Sequence, residues 1–146
     1  MKVLVACEES QAVVKAFRKR GHEAYSCDIL TSSGGHPEWH FQGDVIKLIS
    51  SGRGKLECGK MKSVKRWDMM IAHPPCTYFA VSGARWYYHP DDKNLPTNKR
   101  RAHPRFPDRK KELNKSFKFF MALANAPIDK IAIENPVGII SSMWRK

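Results

Sequence analysis

The sequence has no long apolar run, and nothing in it approaches the roughly 20 residues that cross a membrane. The apolar stretch after Met1-Lys2, Val3 to Ala6, is too short for a signal-peptide core. These absences lead us to expect a cytoplasmic protein. Cys-x-x-Cys pairs are also absent. The 4 cysteines, Cys7, Cys27, Cys58 and Cys76, are scattered. With no sign of export they are read as reduced thiols rather than as a disulfide framework. His73, Cys76 and His103 lack ligand spacing, so no metal site is expected. There is no internal repeat. Carboxylates are scarce, with 14 Asp and Glu against 26 Lys and Arg and a formal net charge of +12. That surplus suits a polyanionic partner, of which nucleic acid is the commonest, and its plainer reading is a solvated basic surface. Apolar residues make up 42% of the chain, enough for a core, and the length suits a single domain over 1–146.

The chain alternates strand and helix signals. Lys2 to Ala6 reads as a central parallel strand. Ser10 can cap a helix carrying Val13, Val14 and Phe17, with Gly21 as its stop. His22 to Cys27 reads as a second strand ending at Asp28, which makes a β-α-β unit. Thr31 to Trp39 is a loop by composition. Phe41 to Val45 suggests a short edge strand carrying Gly43-Asp44, Ile46 to Ile49 a brief helix, and Ser51 to Arg66 a basic loop or weak hairpin. Trp67 to Ala72 reads as a strand, Glu112 to Asn125 as a helix with Leu113, Phe117, Phe120 and Ala124 on one face, and Ile131 to Ile133 as the last strand. The order implies an α/β fold, a doubly wound and mostly parallel Rossmann-like sheet of about five strands with helices on both faces.

Two strand ends carry chemistry. Trp67 to Ala72 runs into His73-Pro74-Pro75-Cys76, where the prolines stop the ladder and hold a thiol at the carboxyl end of the sheet. Lys130-Ile-Ala-Ile delivers Glu134 and Asn135 to the same edge. A thiol and a carboxylate facing one cleft suggest covalent nucleophilic catalysis assisted by an acid. Between them, residues 80–111 interleave Arg85, Lys99, Arg100, Arg101, Arg105 and Arg109 with Trp86, Tyr87, Tyr88 and Phe106. That mixture suits stacking on bases and neutralising phosphates. Plainer readings stand beside these: an inert buried thiol at Cys76, a turn at Glu134-Asn135-Pro136, caps or loop acids at Asp28 and Asp44, and a solvated face for the basic segment.

Pro75-Cys76 with Phe79 and Ser82-Gly83, and Glu134-Asn135-Pro136-Val137-Gly138 further on, resemble the nucleophile and Glu-Asn-Val motifs of the DNA cytosine-C5 methyltransferases, especially the compact phage-encoded ones. Asp28 matches the acid that binds the ribose of S-adenosylmethionine, and Gly43-Asp44-Val45 resembles the segment that contacts the adenine. The resemblance implies a methyltransferase fold in which Cys76 is the nucleophile, Glu134 its acid partner, and Asn135 a holder of local geometry. It implies a cofactor side of Cys7, Glu8, Ser10, Asp28, Asp44, Val45 and Pro74; an acid at Glu8 or Glu9 pairing with the cofactor ammonium or sulfonium would not be the family's usual solution. The expected partner is DNA in a bacterial or phage-infected cell, gripped by Ser82, Arg85, Trp86, Lys99, Arg100, Arg101, Arg105 and Arg109.

The sequence also departs from that pattern. The loop Cys7-Glu8-Glu9-Ser10-Gln11 has no glycine where the family has a glycine-rich one, and Thr77 replaces the frequent glutamine. The resemblance stops before the family's later strands, its arginine motif and its target-recognition region. The expectation is a domain truncated at its C-terminus, or a whole one whose open sheet edge is covered in a homodimer or by an accessory subunit. Two other functions fit the same residues: an amino-methyltransferase using His73-Pro-Pro-Cys76 as its motif, and a non-catalytic nucleic-acid-binding protein on a decayed methyltransferase fold.

Overall fold

The computed structural model describes residues 1–135 and 138–144. Pro136, Val137 and Lys146, which entered the sequence reading, lie outside the described residues. The fold is α/β, and the chain divides into two compact units. The first comprises Met1–Pro74 and Ala122–Glu134, the second Pro75–Met121 and Asn135–Lys146. Residues after Pro74 pack around their own aromatic side chains.

The first unit begins with β1 (Lys2–Ala6), α1 (Ala12–Lys19) and β2 (Glu23–Asp28). Next come β3 (His40–Gln42), α2 (Val45–Ser51), and the β4 (Arg53–Lys55) and β5 (Met61–Ser63) strands. β6 (Met69–Ala72) closes this stretch. α3 (Arg109–Ala124) leads back to β7 (Lys130–Ile133), and α4 (Ile140–Met143) follows in the second unit. β4 and β5 pair antiparallel as a separate two-stranded sheet, the weak hairpin expected between Ser51 and Arg66. The other strands form one five-stranded sheet in the order β3-β2-β1-β6-β7, parallel throughout. This order is compatible with a Rossmann-like sheet, and its switch point falls between β1 and β6.

Burial explains the placement of the strands. Val3, Leu4, Val5 and Ala6 of β1 are fully buried, as a strand with neighbours on both sides requires. β7 alternates exposed and half-buried residues, the pattern of an edge strand. The expected strand over Phe41 to Val45 is shorter. It stops at Gln42 because Asp44 turns to cap α2, accepting hydrogen bonds from the N–H groups of Ile46 (2.8 Å) and Lys47 (3.3 Å).

Register decides what the sheet presents. Ala6 pairs with Cys27 and with Ala72, and Ala72 pairs with Ile133. The residues one step on, Asp28, Cys7, His73 and Glu134, therefore lie level in a row along the carboxyl edge. At the usual spacing between neighbouring strands, the row spans roughly 14 Å.

In the second unit, Phe79 is buried edge-on against Phe120 (ring centres 6.2 Å apart), and Phe120 against Trp144 (5.4 Å). The segment expected to be irregular is a series of short 3-10 turns, Val81–Trp86, Pro90–Asp92 and Thr97–Lys99. An antiparallel bridge between Tyr88 and Ala102 ties it together.

Candidate functional site

The last two members of the row, at the ends of β6 and β7, meet. Glu134 N–H donates to Ala72 O (2.9 Å), which continues the ladder one residue beyond β7. Its carboxylate Oε2 lies 2.6 Å from His73 Nδ1. The Glu134 side chain is 74% exposed, so it serves no packing purpose. The other ring nitrogen of His73, Nε2, is buried without a partner among the described residues. Sequence reasoning gave His73 no part beside Glu134. The signal that would have found it is the adjacency of the two strands, which no local pattern encodes.

Along the same row, Cys7 takes a left-handed backbone conformation (φ 59°). Burial, and after it the charge of Asp28, pushes the Cys7 thiol up to about 12, so it is a protonated lining group and not a nucleophile. Burial likewise pushes Cys27 up to about 12, with smaller contributions from Cys7, Asp28 and Asp44. Asp28 is half-buried, and its Oδ1 accepts from Leu30 N–H (2.9 Å) in a loop turn. Ile29 beside it is 75% exposed, an apolar surface that sequence reasoning missed. Asp44 lines a cleft of about 170 Å³ with Cys27, Gly43, Lys47 and Arg53. Val45 and Pro74 are buried.

Glu8 is placed differently from the sequence expectation. It is only 6% exposed and accepts from the N–H groups of Val13 (2.6 Å) and Val14 (3.4 Å). It therefore caps α1, the role given to Ser10, whose exposed Oγ makes only a long 3.4 Å contact with Ala12 N–H. Carboxylates are favoured at helix N-termini by the unpaired amides and the dipole, and the left-handed turn at Cys7 brings Glu8 back over them. The rest of the β1–α1 loop is also engaged. Gln11 is fully buried and exchanges two hydrogen bonds with the His36 backbone (2.8 and 3.0 Å). Ser33 N–H donates to Glu9 O (3.0 Å), and Ser33 Oγ to the Glu9 carboxylate. A Cβ on Gly34 would meet Gln11 and the Ser10 carbonyl, so the segment packs there without a side chain.

In the second unit, Cys76 is exposed, so it is not an inert core thiol. Its carbonyl accepts from Phe79 N–H (2.9 Å) and Ala80 N–H (3.1 Å), forming a turn with the thiol at its start. Arg109 braces this turn. Its Nη2 donates to Thr77 O (3.1 Å), and the guanidinium lies over the rings of Tyr78 and Tyr87. Arg109 is buried and so is committed to the turn rather than presented to a phosphate. Gly83 is glycine because a Cβ there would overlap that guanidinium. Gly138 is glycine because a Cβ would overlap the Phe79 carbonyl, which also accepts from Ile139 N–H (3.0 Å). Asn135 is half-buried in this unit.

Ser82, Arg85, Lys99, Arg101 and Arg105 are exposed. Arg101, however, is bound to buried Asp92 through its Nη2 (2.7 Å), its Nε (3.0 Å) and its backbone N–H (2.8 Å). These bonds hold the Asp92 carboxyl down at about 2.

Comparison of the chain with protein-family models, with curated proteins and with solved structures found no match.

Proposed function

We propose that this chain is an S-adenosylmethionine-dependent methyltransferase that modifies cytosine C5 in DNA through a covalent adduct at Cys76. The observation that carries the reading is the level carboxyl edge of β6 and β7. It sets Glu134 beside His73, and Cys76, three residues on in the sequence, is exposed. The parallel sheet then belongs to a doubly wound methyltransferase fold with its ligands at the switch point.

The residues present suit the nucleoside side of the cofactor. Asp28 ends β2 next to exposed Ile29, and the Asp44 cleft has room for part of a purine. Asp28 would bind the ribose hydroxyls and Ile29 would cover the adenine or sugar face. The cofactor supplies an electrophilic methyl group. The chain supplies the rest. The Cys76 thiolate adds to cytosine C6, and this gives C5 enamine character. Glu134 meets the ring at N3, where a proton favours the addition. After transfer to C5, loss of the C5 proton expels the thiol and restores the ring. The target base must leave the helix stack to reach the sulfur.

The test is a duplex carrying 5-fluorocytosine, in which fluorine blocks release of the thiol. With cofactor, the chain is expected to form a denaturant-stable adduct that Cys76→Ser abolishes. No adduct from a chain that binds both cofactor and DNA would eliminate the covalent reading.

The packed β1–α1 loop favours a second reading, a non-catalytic nucleic-acid-binding protein. Glu8 is spent on α1, and residues 33–36 cover the loop from which a methyltransferase holds the methionine part of its cofactor. Calorimetry separates the two readings. No heat at millimolar S-adenosylmethionine, together with strongly salt-dependent DNA binding, selects the second.

A further inference from the structure

We propose that the second unit carries a pocket for one unpaired nucleotide of a nucleic-acid strand, with its base on Trp86 and Tyr88 and its phosphate on Arg85, Lys93 and Arg100. These side chains and His103 line a cleft of about 340 Å³, in the size range of small-ligand sites. The inference rests on the nucleic-acid part of the reading above and on none of its transfer chemistry. Cys76 does not line the cleft.

The walls are planar and braced. Trp86 stands edge-on to His103 (ring centres 5.1 Å) and Phe106 (5.3 Å), which fixes its plane. The Arg85 guanidinium lies over the Trp86 ring, 4.7 Å from its centre, and covers that face with a cationic plane. Bases stack on both kinds of plane, but only once they are out of a duplex.

The rim is cationic and organised. Arg100 Nε donates to Leu95 O (2.7 Å) and its Nη2 to Lys93 O (2.9 Å), which aims the guanidinium before any ligand arrives. Arg85 and Lys93 are exposed, and neither makes an ion pair among the described residues. Among the described residues no carboxylate lines the cleft. Of the neighbouring acids, Asp92 is bound to Arg101, while Asp91 is exposed and its backbone N–H donates to His89 Nδ1 (3.3 Å). Rings alone would suit any apolar ligand, and cations alone any polyanion. Together, at the scale of one nucleotide, they match a base joined to its phosphate.

The experiment is fluorescence anisotropy of the full chain with a labelled short oligothymidylate, without cofactor, over a salt series. Trp86→Leu is expected to weaken binding about 5- to 100-fold. Arg85→Gln with Lys93→Gln changes only exposed groups. It is expected to keep the circular dichroism and melting temperature, weaken binding, and flatten the log–log salt slope by roughly 0.7 for each phosphate no longer neutralised. Wild-type affinity in both variants overturns the pocket. So does competition by thymidine monophosphate, inorganic phosphate or polyglutamate as effective as that of unlabelled oligonucleotide. Adduct formation by a wild-type chain that shows no oligonucleotide response removes the pocket alone. An oligonucleotide response in a chain that forms no adduct removes the transfer chemistry alone.

Discussion

Glu134 Oε2 and His73 Nδ1 are 2.6 Å apart at the ends of two adjacent parallel strands. Under the methyltransferase reading, His73 positions the carboxyl that meets cytosine. Glu134→Gln is expected to lower kcat by about 10²–10⁴-fold, the usual worth of a general acid, with cofactor affinity unchanged. His73→Ala is expected to lower kcat less, because Glu134 remains but is no longer held in place. Single-turnover methyl transfer and cofactor titration of the two variants check both.

Glu8 separates the two functional readings. As a cap on α1, its loss in Glu8→Ala is expected to destabilise the first unit by about 0.5–2 kcal/mol, with the deficit read as a lower urea midpoint. Glu8→Gln keeps an acceptor and is expected to lose less. A variant of normal stability whose S-adenosylmethionine affinity alone collapses would return Glu8 to the cofactor.

Gly138→Ala tests the close approach to Phe79. The obstructing atom is a backbone carbonyl with no side-chain freedom to yield, so a cost of about 1–3 kcal/mol is expected from overpacking. Gly83→Ala meets chiefly the end of the Arg109 side chain, which can move, and is expected to cost less. Thermal melts of the two variants give the order directly.

Asp92 makes the second unit acid-sensitive. Its carboxyl titrates at about 2 in the folded chain, against about 3.9 when unfolded. The Arg101 contribution is therefore fully present above pH ~4 and is lost as pH falls through 2. The melting temperature is expected to decline across that window in the wild type. In Asp92→Asn it is expected to be lower at neutral pH and flatter in acid, with the two curves converging near pH 2.

The strands and helices were legible because each carries its own period. Val3 to Ala6 is apolar on both faces and lies buried at the centre of the sheet, and Ile131 to Ile133 marks the last strand. The weak hairpin between Ser51 and Arg66 was also readable from its composition. The start of α3 at Arg109 rather than Glu112 was hidden, because its first turn is polar and basic. The edge position of Asp28 and Glu134 followed from strand ends, but the His73–Glu134 contact depends on which strands are neighbours. Glu8 and Arg109 show the other limit. A charged residue in a loop looks available in sequence, and only the fold reveals a helix terminus or a carbonyl that claims it. The plainer reading of Asp44 as a cap describes its side chain, which nevertheless borders a cleft.

Cys7 and Gln11 both sit at φ 59°, a region that costs an L-residue about 1–2 kcal/mol and costs glycine almost nothing. The loop after β1 thus already follows a path suited to glycine, held there by the anchorage of Glu8 and Gln11 instead of by conformational freedom. Cys7→Gly would relieve the torsional penalty without asking the main chain to move.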